Sequence, residues 1–294
     1  MIVRVLGSAA GGGVPQWNCA CAHCGAARTG KLPRRTQSSF AVSSDGTEGW
    51  WLINVSPDTA QQIEAYPPLH PRGDRNTPLR GMLLTDANID HIGGLTVLRQ
   101  AGSHAFTLYS SAVVKAIALE QRAFAPFSAP PHHWHALAPG ERVRLDARLE
   151  IRAVPVEGLT PGYAGRRSIP GAVIAYALRD QVTGGRVLFA PVFKSIDLPL
   201  LQAIRNSDVV FLDGSFWSDE ELSKIGPPKS ARALGHLPVG APDGPLTTLR
   251  NLPCRRFLTH INNTNPLLDP TSREARLAGE EGFETAEDGL ELRL

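Results

Sequence analysis

The sequence predicts a mixed α/β (α+β) fold in two β-rich halves, and three observations lead there. Short apolar runs rich in Val, Ile, Leu and Phe recur along the chain and end at turn residues, as buried strands do. Stretches with apolar residues at helical spacing alternate with them. The 28 glycines and 24 prolines among 294 residues keep the elements short and the loops well defined.

Taken in order, strands are expected in the first half at 2–6, 39–42, 50–55, 81–85 and 106–109, and helices at 59–65, 91–100 and 112–122. In the second half strands are expected at 143–145, 149–156, 173–178, 187–190, 209–213, 257–259 and 290–294, and helices at 199–205, 246–250 and 272–279. Runs such as 81–85 and 209–212 are apolar throughout and suit strands buried on both faces. The proline-rich stretch 125–131 reads as the junction between halves of about 1–125 and 132–294 within one domain. Hydrophobic residues make up 42% of the chain, enough for a core, and no run approaches the ~20 apolar residues of a membrane span. A formal net charge of +2 is too balanced to suggest a nucleic-acid binder. The opening segment 1–6 is too short for a signal peptide and leads into glycines, so a cytoplasmic protein with reduced thiols is expected.

The stretch TDANIDHIGG, residues 85–94, carries the densest chemistry. Asp90 and His91 are adjacent at the junction between an expected strand and an expected helix. There the helix dipole favours an ionised aspartate and a neutral histidine, the protonation states that a metal ligand requires. A second constellation is Cys19, Cys21 and Cys24, three of the four cysteines within six residues. Thiolates so closely spaced suit a structural Zn²⁺ with four closed ligands, its fourth ligand open between His23, a side-chain oxygen and another group. Cys254 reads as an ordinary buried thiol.

Other residues carry weaker signals. Asp213 ends an apolar run and is either a site carboxylate or a turn aspartate. His236, in a Gly-His-Leu-Pro loop, is a candidate acid/base because histidine titrates near neutrality. His132, His133 and His135 look like a metal cluster but are expected to cover a loop or strand edge. Arg34-Arg35 and Arg166-Arg167 are expected to be solvated pairs, although a substrate with several carboxylates would need such forks.

These motifs resemble known families. TDANIDHIGG is similar to the T-H-x-H-x-D-H-x-G-G signature of the metallo-β-lactamase superfamily, with Asp86 and Asn88 where that pattern has its first two histidines. The stretch 257–259 ends in His260, as the superfamily's last metal-binding histidine ends its strand. The resemblance implies that Asp90, His91 and His260 form a 2-His-1-carboxylate set, the arrangement of non-haem Fe(II) oxygenases. Leu159 stands where the superfamily's G-H-T-P-G segment has histidine, and the run 187–192, ending in Val192, lacks the bridging aspartate. These losses argue against two-metal hydrolysis.

Over its whole length the chain resembles the PqqB family of pyrroloquinoline quinone biosynthesis. The resemblance is carried by VLGSAAGGGVPQWNC at the start, the C-x-C-x-x-C, SPD at 56–58, TDANIDHIGGL, FLDGSFW at 211–217, GHLPV at 235–239 and THINNTNP at 259–266. It implies a metallo-β-lactamase-like αββα sandwich with its site at one edge between the sheets. It also implies Fe(II)-dependent hydroxylation, with molecular oxygen, of the tyrosine ring in a Glu-Tyr-derived dipeptide cut from the precursor peptide PqqA. Asn263 falls where a related phosphodiesterase branch has the fourth zinc-binding histidine, and His236 matches a histidine that assists catalysis there. Asn262, Asn263 and Asn265 are expected to fix the orientation of His260. Asp86 and Asn88 are expected to suppress a second metal and leave room for substrate. Two alternatives stay open: a metal-dependent phosphodiesterase, or a non-catalytic carrier of the finished quinone. A homodimer is compatible with either.

Overall fold

The computed structural model describes residues 1–47, 49–224 and 229–294. The chain opens with strands β1 (Ile2–Gly7), β2 (Ser39–Ser43), β3 (Trp50–Ile53), β4 (Leu79–Leu83), β5 (Thr107–Ser111) and β6 (His133–Leu137). It continues with β7 (Arg142–Arg144), β8 (Leu149–Pro155), β9 (Ile174–Asp180), β10 (Arg186–Ala190), β11 (Val209–Asp213), β12 (Arg255–Thr259), β13 (Phe283–Thr285) and β14 (Glu291–Arg293). Among the described residues these form two seven-stranded sheets, ordered β14-β1-β2-β3-β4-β5-β6 and β13-β12-β11-β10-β9-β8-β7. In each, one half is antiparallel and the other parallel: β3 to β6 run parallel in the first, β10 to β13 in the second.

Strand periodicity builds the layers. In β1, Ile2 and Leu6 pack outward with the helices, whereas Val3 and Val5 point between the sheets, as a period of two demands when both faces are covered. Helices α1 (Ala22–Arg28), α2 (Thr59–Glu64), α3 (Ile89–Ile92), α4 (Leu95–Leu98) and α5 (Ala112–Glu120) belong to the first half. Helices α6 (Leu198–Arg205), α7 (Ala231–Leu234), α8 (Pro245–Thr248) and α9 (Arg273–Glu280) belong to the second. Leu95 and Val114 seal the outer face of the first sheet, and Leu200, Ile204 and Ala278 that of the second. Between the sheets Phe40 lies 4.9 Å from both Phe189 and Phe211, and Phe211 stacks on Phe257 at 5.1 Å. The layers are helix, sheet, sheet, helix: the αββα sandwich.

The structure departs from the sequence reading in four places. The expected helix 91–100 breaks into α3 and α4 at Gly93-Gly94. A Cβ on Gly94 would lie 2.3 Å from Thr59 Oγ1 and 2.4 Å from the Ser56 carbonyl, so this pair lets the Ser56–Asp58 turn pack against the motif. The stretch 125–131 is not where the sheets change. Arg122–Ser128 is a 3-10 turn with Phe124 and Phe127 buried, and it feeds β6, which pairs with β5. The chain therefore crosses only after Leu137, and β14 returns to the first sheet beside β1, so the halves interlock. Strands β6 and β13 and helices α1 and α7 lack a clear apolar period and were not expected. His133 and His135 are exposed on edge strand β6, while His132 is buried and accepts a hydrogen bond from the Phe106 amide at 3.1 Å. Among the described residues no helix is long and apolar enough to cross a membrane.

Candidate metal centre

Three parallel strands end at one edge of the sandwich and deliver the site. The loop after β4 carries Asp86, Asn88 and, on α3, Asp90 and His91; β11 ends in Asp213; β12 runs into His260. His260 has a left-handed backbone (φ 59°), a conformation costly for a non-glycine residue. Asp90 Oδ2 lies 3.2 Å from His260 Nε2 and 3.9 Å from His91 Nε2. The two imidazoles meet nearly edge to face, centroids 5.0 Å apart. Gly11 closes the other side: a Cβ there would come within 3.2 Å of Asp90 Oδ2.

Each histidine is held from behind by its Nδ1. His91 Nδ1 donates to Asp86 Oδ2 at 2.5 Å, both side chains fully buried. His260 Nδ1 donates to Ser215 Oγ at 2.7 Å, and the Ser215 hydroxyl in turn donates to Asp213 Oδ1 at 2.6 Å. His236 Nδ1 donates to Asp213 Oδ2 at 2.7 Å. Such partners fix the tautomer that leaves Nε2 as the metal-facing nitrogen. The consequence is visible at His91, whose Nε2 is buried with no hydrogen-bond partner. An unpartnered ring nitrogen beside a carboxylate and a second imidazole fits a divalent cation. Asp213, His236 and His260 form a second compact group, with His260 common to both.

Electrostatics follow from these contacts. Burial would raise the Asp90 pKa, but His91 and a hydrogen bond with His260 outweigh it and hold the carboxyl well below its usual range. Burial would lower that of His91, yet Asp86 and Asp90 push it up to about 9. A cation bound there takes that proton's place. His236 is likewise lowered by burial and raised further by Asp213. The cavity over these groups measures about 300 Å³ and is lined by Gly11, Asn88, Leu159, Arg166, Val192 and Phe216 among others. Two wider cavities, of about 370 and 580 Å³, contain none of the three ligand side chains.

The cysteine trio lies next door. The sulfurs of Cys19, Cys21 and Cys24 converge within 4.8 Å, and the Asn263 amide caps them at 3.1, 3.6 and 3.4 Å. Turning that amide about its axis presents Oδ1 instead of Nδ2, so four donors are at hand for a closed site. His23 is engaged elsewhere, its Nδ1 3.1 Å from the Asn263 carbonyl. Burial raises the Cys24 thiol to about 11. Burial would raise Cys21 too, but hydrogen bonds from the Cys24 backbone and the neighbouring thiols bring it below its ordinary value. Because Asn263 follows His260 by three residues, this cluster anchors the metal-site loop. Cys254 packs in the core outside the second sheet.

Several expectations are revised by these positions. Asp86 faces the back of His91, with Asn88 serving it through its backbone amide (2.9 Å) and Nδ2 (2.8 Å); of the two, only Asn88 reaches the cavity. The ring of His260 is fixed by Ser215, not by the asparagines: Asn262 donates to Thr264 at 2.5 Å, and Asn265 ties down the Gly214 carbonyl at 2.7 Å. Ser215 was missed, although FLDGSFW contained it. Arg35 is buried on Ser8, the Ala286 carbonyl and Glu287, a structural role. Arg166 lines the cavity and Arg167 does not.

Two sheets with this topology and a carboxylate-histidine site at their shared edge define a metallo-β-lactamase fold, and the profile of the beta-lactamase superfamily domain matches residues 49–261. The chain is 37% identical to coenzyme PQQ synthesis protein B of Pseudomonas fluorescens (strain SBW25) and 40% identical to that of Azoarcus sp. (strain BH72), each alignment covering all of both chains. It superposes on the crystal structure of Zn(2+)-bound PqqB from Methylobacterium extorquens with a TM-score of 0.94 and 34% identity, again over the whole of both chains. A diphosphatase from the PhnP family shares the fold at a TM-score of 0.68 and 22% identity over 100% and 97% of the two chains. The chain belongs to the PqqB family of the beta-lactamase superfamily.

Proposed function

We propose that this chain is a metal-dependent oxygenase of pyrroloquinoline quinone biosynthesis that holds Fe(II) on Asp90, His91 and His260. Its substrate is a Glu-Tyr-derived dipeptide from the PqqA precursor, hydroxylated on the tyrosine ring. The observation that carries this reading is the orphan His91 Nε2, buried beside Asp90 and His260. Full-length similarity to coenzyme PQQ synthesis proteins supports the pathway. Iron bound by three protein groups would supply the dioxygen chemistry, with positions left for oxygen and substrate. The protein's own residues do the rest. Asp86 and Ser215 orient the two imidazoles, Leu159, Val192 and Phe216 wall the cavity, and Asp213 holds a proton on His236 for delivery at the ring being oxidised. One oxygen atom is inserted into a ring C–H bond and the other leaves as water, which consumes two protons and two electrons, the electrons from an external reductant.

A second reading, a two-metal phosphodiesterase, draws on the Asp213, His236 and His260 group. Metal stoichiometry separates them. After anaerobic Fe(II) loading the wild type is expected to hold one iron outside the cysteine site and to consume oxygen with Glu-Tyr, adding oxygen to the peptide. His91→Ala should lose both iron and turnover. Two tightly held metals with phosphodiester cleavage and no oxygen uptake would replace the oxygenase reading.

A further inference from the structure

The cavity over Asp90 and His260 is lined by a single lysine or arginine side chain among the described residues, Arg166. Among the described residues no carboxylate holds it and its guanidinium has no ion pair or hydrogen bond of its own; it lies over Gly162, where a Cβ would stand 3.4 Å from both Nε and Nη2. The chain is folded to present it. Residues 160–167 close on themselves: the Thr160 amide donates to the Arg167 carbonyl at 2.9 Å, and the Arg167 amide returns to Thr160 Oγ1 at 2.8 Å. Tyr163 donates its hydroxyl to the Ala87 carbonyl, pinning this loop to the one that carries Asp90 and His91. At the tip Gly165 (φ 88°) and Arg166 (φ 44°) both adopt left-handed backbone. Arg166 is exposed, and for arginine that backbone conformation carries strain.

We propose that Arg166 is the carboxylate anchor of this site, selecting an acidic substrate whose reacting ring lies over the metal ligands. This deepens the oxygenase reading and rests on it for the identity of the ring. Charge favours the assignment: Arg166 is the arginine that lines this cavity, so a carboxylate entering it meets a guanidinium with no other ion pair among the described residues. A planar guanidinium can grip a substrate carboxylate through two parallel hydrogen bonds. Leu159 and Val192, where metal ligands would otherwise stand, leave apolar wall for a ring.

The test is equilibrium binding to the Zn²⁺-loaded protein, which cannot turn over. The probes are L-Glu-L-Tyr and its carboxylate-free counterpart, Gln-Tyr amide, which carries the same α-ammonium, at low ionic strength. Wild type should prefer the acid by about tenfold or more, the scale of a charge-assisted hydrogen-bond pair. Arg166→Gln should bind both alike, Arg166→Lys should keep part of the preference, and Arg167→Gln should match wild type. An undiminished preference in Arg166→Gln, or equal binding of both probes by wild type, overturns the anchor and leaves the oxygenase reading standing. Wild type that binds neither peptide removes the dipeptide substrate and the anchor together.

Discussion

Replacing Asp86 by asparagine isolates what a buried carboxylate does for a metal site it does not touch. Asp86 is fully buried and accepts from four donors: His91 Nδ1 (2.5 Å) and Thr85 Oγ1 (2.9 Å) on one oxygen, and the Asn88 amide (2.9 Å) and Nδ2 (2.8 Å) on the other. An amide of the same shape has one acceptor oxygen. Whichever way it turns, either His91 or the Asn88 backbone faces an N–H instead of an acceptor. If His91 loses its acceptor, its ring is free to rotate and to take the tautomer with the proton on Nε2, which cannot ligate. Loss of such a partner typically costs 10–100-fold in metal affinity, or roughly 1.4–2.7 kcal/mol. If Asn88 loses its acceptor instead, the unsatisfied amide costs about 1–3 kcal/mol of stability and loosens the turn before α3. Anaerobic competition of Fe(II) and Zn²⁺ against a chromophoric chelator, paired with thermal melts, reads both outcomes. An Asp86→Asn protein with wild-type affinity and wild-type Tm would refute the argument that this carboxylate sets the ligand geometry.

Two further outcomes follow from other parts of the fold. Cys21→Ser should lose zinc and stability together, because binding energy in such a site is folding energy; each kcal/mol lost lowers Tm by roughly 2 °C in a domain of this size, and zinc loss with an unchanged melt would contradict a structural role. Asp180 is buried, paired at 2.7 Å with both the Met1 ammonium and Arg148. Burial alone would raise its pKa, but those partners and the Val182 and Thr183 amides hold it below the unfolded value. Its contribution is therefore complete above the unfolded pKa of about 3.9 and lost as pH falls through the folded value. Asp180→Asn should lower the urea midpoint near pH 7 and lower it less near pH 3. A gap that does not narrow with acid would reverse the sign of this reasoning.

The parts of this molecule legible in the sequence are those where one local rule dominates. Strand β11 reads directly from Val209 to Asp213 because every residue in it is buried. The pair Asp90-His91 reads from its position between a strand and a helix. Where two rules compete, the sequence is ambiguous. Leu95 and Leu98 continue the helical period of Ile92, yet the close approach of Ser56 and Thr59 demands glycine at 94 and breaks the helix. Strand β6, HWHAL, carries two exposed histidines and pairs by its backbone at a sheet edge, which leaves no apolar pattern to find. Contacts across the sandwich were beyond reach altogether: nothing in residues 211–217 says that Ser215 will meet a histidine 45 positions later. The same limit left Arg166 and Arg167 undivided as one candidate pair, since only the closed loop places Arg166 at the cavity and Arg167 away from it.

On the proposed one-metal reading, Asp86 would convert a binuclear framework to a one-metal site without disturbing its scaffold. In the superfamily pattern the side chain at this position points forward as a ligand. Here a shorter, anionic group turns back and supports the ligand five residues on. That single change does two things at once: it withdraws a donor from the second cation and stiffens the donor of the first. Asn88 completes the exchange by bonding to Asp86, which commits its amide to the loop. Leu159 and Val192 then add no donor to the cavity wall. Removing donors alone would leave His91 free to tilt, and a loosely held imidazole binds metal poorly. On that proposal, lost ligation at position 86 becomes orientation at position 91, and the space that a second cation would need becomes room for an organic substrate.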